Sequence, residues 1–555
     1  MTTETDAEAK AFIAFQRDKA RQEKARQAME AADESEREAF ERWRADQEQA
    51  SARHSGEQAA KPAGGGTETT DAILAERVSE RTLRGRYCWS AGLGWMRWTG
   101  KHWEHSNQQT VTETVRRYMV ESVTDELRSP DTDWRKRQEL MSLLSKSRLV
   151  ALVELSKGIL QVTDDMFDAH PDLLNTTSGV VHLPSSEVRP HDPHLYLTKI
   201  TPVPYQKDAS HPDWAKALEA LPKDLHEWVQ VRLGQAITGH MTPDDVMLIL
   251  QGGGENGKST VLESVSRSLG KGYSVLMSDR VLLADPGAHP TEMMDLRGAR
   301  FAMAEELPED RRLNVKRLKD VIGTSTMKAR RMKQDPVEWD STHSVMISTN
   351  YLPVIEETDH GTWRRLALVR FPFKFLKAGQ KPEGPHQREG DPGLRERMKD
   401  GAAQHRAVLA WLVEGARRWY EHERVMPSHP ARVAADTQDW RAKCDLVLAY
   451  WLDRIQPDAS AHVLSTDLFS DFNAWLQAHG HRPWSDKTFG ARFEGHDYTA
   501  THGVERRKIR AQEGLSRPPS MLTEWGTQPL APSSSYRAWL GMRFAPDGVR
   551  DDCSE

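Results

Sequence analysis

The stretch VMLILQGGGENGKSTVLESVSRSL, residues 246–269, constrains this chain more than any other. Val246, Leu248, Ile249 and Leu250 form an apolar run of strand length, and a helical pattern follows the turn. Between them stand Gly252, Gly253, Gly254, Glu255, Asn256, Gly257, Lys258, Ser259 and Thr260. Glycines let successive backbone N–H groups converge on an anion without Cβ clashes, and a helix N-terminus adds partial positive charge. The spacing from Gly252 to Gly257, with Lys258 and Ser259 next, is that of a phosphate loop. It predicts an ATP site in which Lys258 reaches the β and γ phosphates and the Ser259 hydroxyl enters the Mg²⁺ shell. An accidental glycine turn would not need the flanking strand and helix.

A site of this kind needs carboxylates on a nearby strand. RFAMAEEL supplies apolar Phe301 to Ala304, then Glu305 and Glu306. One such acid helps to hold the metal and another polarises the attacking water. Glu306 is the expected essential member, although the sequence does not separate the two roles. Further on, SVMISTN is a second apolar run, ending in Asn350. An amide at a strand tip can orient water beside the γ phosphate; taken singly it reads better as a turn residue, and the order of elements reverses that.

The formal net charge of -6 excludes a general coat of basic residues, so any nucleic-acid site must be local. Cys88, Cys444 and Cys553 have neither zinc-ligand spacing nor a disulfide framework, which points to a reducing cytoplasm. No apolar run approaches the ~20 residues of a membrane span, and the N-terminus lacks a secretory pattern. Residues 1–70 read as a charged helical or disordered arm and linker. Trp89, Trp95, Trp98 and Trp103 alternate with small and basic residues. They read as the packing of a small sheet rather than a base-stacking platform. His182, His191 and His194 lie close in sequence but lack a completing ligand pattern.

The order of elements resembles a superfamily 3 helicase. The matching stretches GGGENGKST, RFAMAEE, GTSTMKARRMKQDPVEW, HSVMISTNYLPVI and DHGTWRRLALVRFPF are similar to the phage and plasmid primase-helicase family, which includes the poxvirus primase-helicase. The likeness extends upstream through WMRWTGKHW and LLNTTSGVVHL, and downstream to LFSDFNAWLQAHGHRPWSDKTFGARF. It implies Asn350 as a sensor and Arg365, with Arg364 beside it, as an arginine motif acting across a subunit boundary. It also places Lys328, Arg330, Arg331 and Lys333 near a central channel, where they could track single-stranded DNA. Ser325 departs from the aspartate frequent in the family, which leaves a carboxylate role there open. Arg492, Arg506, Arg507, Lys508 and Arg510 are candidates for duplex contacts or simply a solvated basic face. The polar stretch before Arg86 is too short for a primase core, and Asp131 and Asp133 read as a helix-capping turn.

The expected fold is α/β: a parallel-sheet P-loop ATPase core flanked by a helical N-terminal region and a C-terminal winged-helix domain. The expected boundaries are 71–225 pre-helicase, 226–375 ATPase, 376–440 linker and helical segment, 441–515 winged helix, and 516–555 flexible tail, within which Tyr536 to Phe544 could dock. The expected function is an ATP-dependent replicative DNA helicase of a phage or mobile element. It would translocate on single-stranded or forked DNA as a homo-oligomeric, hexameric ring in the cytoplasm, with a separate primase as a further partner. The alternative is an ATP-dependent switch or defence NTPase that binds nucleic acid without unwinding it.

Overall fold

The computed structural model describes residues 70–545 except 131, 284–289, 306–312, 331–336, 354, 356–359, 378, 511–512, 519–521, 524–525 and 528–534. Glu306, Arg331, Lys333, Asp131 and Cys553 therefore lie outside the described residues. Apart from Thr70, all described residues belong to one compact unit, Asp71–Glu555.

Five short apolar runs make one parallel sheet. In chain order its strands are β1 (Met247–Gln251), β2 (Ser274–Met277), β3 (Phe301–Glu305), β4 (Ser344–Thr349) and β5 (Leu366–Arg370). Their spatial order is β5-β1-β4-β3-β2. Parallel strands buried on both faces need apolar residues at nearly every position, which these runs supply. Alternation along each strand sends Leu248, Leu250, Met303, Met346 and Val369 to one face, against helix α1 (Lys258–Tyr273) through Val261, Val265 and Leu269. It sends Met247, Ile249, Ala304, Ile347 and Leu368 to the other face, against Leu318, Val321 and Ile322 of the helix Val315–Gly323.

The helix Ala402–Glu421 falls in the span read as linker and helical segment, yet it belongs to the first of these cores. It crosses the helix His226–Gln235 where Gly234 and Gly415 allow backbone contact. A Cβ on Gly415 would come within 2.1 Å of the Gln230 carbonyl oxygen.

Upstream, among the described residues, two three-stranded antiparallel sheets and five helices longer than seven residues precede the parallel sheet. Trp95 and Trp103 are buried in the first of these sheets, where the interleaved aromatics pack. Asp133 caps the helix Trp134–Ser142 by accepting from Lys136 N at 2.8 Å. His182 bonds to Ser185 and His191 to the Thr176 carbonyl, and no group of three metal-ligating side chains occurs among the described residues.

Downstream, a four-stranded sheet runs Glu505–Ile509, Tyr536–Phe544, Ile455–Leu464, Leu515–Ser516 in spatial order. It packs on Trp451, Phe472, Phe489 and Phe493. One correction arises here. Tyr536–Phe544 lies within the span expected to be a flexible tail, but it is a central strand of this sheet. Trp539, Met542 and Phe544 are all buried in the aromatic core, the strand's alternation being interrupted at Gly541, whose φ is +88°. No described helix is long and apolar enough to cross a membrane.

Candidate functional site

The glycine loop leaves the C-terminal edge of β1 and ends in α1, so Gly252 to Gly257 curl over the edge of the sheet. Its glycines serve two purposes. A Cβ on Gly252 would sit 2.1 Å from Asn256 Nδ2 and 3.0 Å from the Phe371 carbonyl oxygen. Gly257 has φ +77°, and its Cβ would lie 2.8 Å from Ala220 and 3.3 Å from the Phe375 ring. These two are packing glycines. Gly253 and Gly254 face open space, with nothing within 4 Å of a Cβ, which leaves their backbone open to a ligand. Inside the loop Asn256 Oδ1 accepts from Lys258 N at 3.1 Å, while Asn256 Nδ2 is buried without a hydrogen-bond acceptor.

Lys258 begins α1 and is 5% exposed. Its ammonium donates to the Thr349 carbonyl at 2.5 Å and to Asn350 Oδ1 at 3.2 Å. The strand order explains this meeting. β4 lies between β1 and β3, pairing Thr349 with Gln251 on one side and Ser348 with Glu305 on the other. Asn350, one residue beyond Thr349, is thus brought between the lysine and the acidic strand. Ser259 is exposed on the first turn of α1, Thr260 follows it, and Glu305 is exposed at the end of β3. Carboxylate and hydroxyl oxygens are the donor types Mg²⁺ selects. The edge therefore presents backbone N–H groups and a lysine, which suit a polyanion, beside the exposed oxygen donors of Ser259 and Glu305.

Arg364 and Arg365 lie elsewhere. They precede β5, whose first residue pairs with Met247, so they stand at the opposite edge of the sheet from the glycine loop. Five residues at ~3.3 Å each set that separation at roughly 15 Å. Their common neighbour is Asp245, which sequence reasoning missed; its only signal is an acid just before the β1 strand.

Lys328 lies on a strand rather than in a loop, because Thr326–Ala329 and Val337–Asp340 form an antiparallel hairpin with Lys328 opposite Glu338. Arg330 is exposed where that hairpin turns. In the C-terminal sheet Arg506 lies over the Trp539 ring and Arg507 pairs with Glu505, while on the helix Asp486–Glu494 Arg492 lies over the ring of Trp484. A cavity of about 1420 Å³ is lined by residues outside the glycine loop, Asp164, Asp168, Lys199 and Arg297 among them.

Residues 72–221 match a family model described as D5 N terminal like, and residues 250–365 match a family of unknown function, DUF5906. A “Putative primase” of African swine fever virus is 26% identical over 354 residues, spanning 58% of this chain and 36% of the relative. A “Putative helicase” of Acanthamoeba polyphaga mimivirus is 26% identical over 269 residues, 46% of this chain and 27% of the relative. Over these stretches the chain is similar to D5-like primase-helicases of large DNA viruses. This D5-like chain thus spans about a third of the length of the curated relatives it matches. Among solved structures, the apo NrS-1 C-terminal region is 12% identical and aligns over 85% of the D5-like chain and 100% of its own, with TM-score 0.42.

Proposed function

We propose that this protein is an ATP-dependent DNA helicase that moves on single-stranded DNA as a ring of identical subunits. The observation carrying this reading is the placement of Lys258, Asn350 and Glu305 along one edge of a parallel sheet, with a glycine loop open above them. In this reading the loop N–H groups from Gly253 to Lys258 and the Lys258 ammonium bind the phosphates of ATP. Ser259 and Glu305 would hold Mg²⁺, which would supply charge neutralisation to the phosphates. Glu306, outside the described residues, shares the acidic role with Glu305. Asn350 exchanges its contact with Lys258 for one with water or phosphate, so nucleotide state reaches β4.

Arg364 and Arg365, at the far edge of the same sheet, serve a neighbouring subunit rather than their own site. The hairpin bearing Lys328 and Arg330 follows DNA by its phosphates, as do Arg331 and Lys333. The C-terminal helices and sheet act as a winged-helix module.

The test is ATP hydrolysis with and without single-stranded DNA, alongside strand displacement on a forked duplex. DNA-stimulated hydrolysis with displacement supports the helicase. Stimulated hydrolysis without displacement would assign the switch instead.

A further inference from the structure

Between Gly252 and Gly257 the glycine loop carries one charged side chain, that of Glu255. It is held at φ +62°, a left-handed conformation that costs any residue with a Cβ. A carboxylate is an unexpected occupant of a loop whose N–H groups gather around an anion, because like charges repel.

A strap accounts for it. After β5 the chain runs past the back of the loop, and Phe375 N donates to the Glu255 carbonyl at 2.8 Å. Lys374–Leu376 pairs with Gln387–Glu389, Lys374 N donates to the His386 carbonyl at 2.7 Å, and Arg388 donates to the Glu219 carbonyl at 2.7 Å. The strap is therefore anchored independently of the loop. It brings Lys374 Nζ and Lys377 Nζ each to 3.8 Å from the Glu255 carboxylate. Those lysine side chains are 60% and 80% exposed. Long, exposed pairs of this kind are weak and exchange partners readily.

We propose that Glu255 is an electrostatic gate on nucleotide release, competing with the bound phosphates for Lys374 and Lys377. This rests on the nucleotide-binding reading of the loop. With the phosphates seated, the lysines can turn from Glu255 toward them and retain the nucleotide. The carboxylate draws the lysines back and adds its own repulsion, which speeds departure.

The test is release of a fluorescent ADP analogue from the full chain, followed by stopped flow at low and high salt. Glu255→Gln keeps the side-chain shape and is expected to slow release by about 3- to 10-fold at low salt, the difference shrinking near 1 M salt as screening tightens. Lys374→Ala with Lys377→Ala is expected to speed release. In that background Glu255→Gln should have a smaller effect than in the parent. Unchanged or faster release from Glu255→Gln at low salt would overturn the gate, as would an equal effect with and without the lysines. The two readings fail differently. A parent protein that binds no ADP analogue removes the nucleotide site and the gate together. Binding that Lys258→Ala abolishes but Glu255→Gln does not alter removes the gate alone.

Discussion

Asp245 and Arg365 meet at the edge of the sheet remote from the glycine loop, where Arg365 Nη2 donates to Asp245 Oδ2 at 3.2 Å. Arg365 Nη1 donates to the Gly361 carbonyl at 2.6 Å, which pins the guanidinium within its own chain. Arg364 reaches the same carboxylate at 3.7 Å and is more exposed, 45% against 17%. One acid thus holds both arginines where neither can serve its own Lys258.

Arg365→Ala is expected to retain nucleotide binding and lose hydrolysis, by up to about three orders of magnitude for a trans arginine. Mixing it with Lys258→Ala protein should return part of the activity, since some interfaces then pair an intact lysine with an intact arginine. Subunit exchange confirmed with labelled protein, yet without recovered hydrolysis, would reject a shared site.

Lys258→Ala should abolish hydrolysis and also lower stability. The side chain is buried, and its loss strips a donor from the Thr349 carbonyl. That carbonyl keeps its bond from Gly252 N at 3.3 Å, so the cost is that of a hydrogen bond to a charged group, about 1.5–3 kcal/mol, to be read by denaturant unfolding beside the ATPase assay. Normal turnover in the variant would sink the phosphate-loop assignment.

Removing residues 516–555 should unfold the C-terminal sheet rather than trim a tail. The deletion takes the strand between Glu505–Ile509 and Ile455–Leu464, with buried Trp539, Met542 and Phe544. Losing a buried Trp or Phe side chain alone costs about 3–5 kcal/mol, against a typical domain stability of about 5–15 kcal/mol. Limited proteolysis should cut between 445 and 510 in the truncated protein and spare that stretch in the full chain.

His343 should make stability fall in mild acid. Its ring is buried, Nε2 donates to the Val321 carbonyl at 3.0 Å, and Nδ1 has no partner. Burial holds its pKa below the usual 6.5. The unfolded chain then binds the proton first, so this contribution is complete above about pH 6.5 and is lost as pH falls toward the folded value, at up to about 1.4 kcal/mol per pH unit. His343→Gln keeps a donor for Val321 and should flatten that part of the pH profile. Identical pH profiles for parent and variant would refute the assignment.

Local chemistry made much of this protein legible from its residues. Apolar runs of strand length, the glycine spacing and Lys258 act within a few residues, so the strand, turn and helix at 247–273 follow from the order of the chain. The asparagine ending SVMISTN and the acid ending RFAMAE were readable as strand tips for the same reason. Strand order was decided in three dimensions. Only β4 lying between β1 and β3 brings Asn350 and the Thr349 carbonyl onto Lys258, across about 90 residues of chain. Asp245 gained its arginines through the pairing of β5 with β1. Tyr536–Phe544, bounded by polar and proline-rich sequence, became a central strand because two distant edges and an aromatic core awaited it. Short-range periodicity carries no record of such partners, since burial and hydrogen bonding between distant segments are settled only when the whole chain packs.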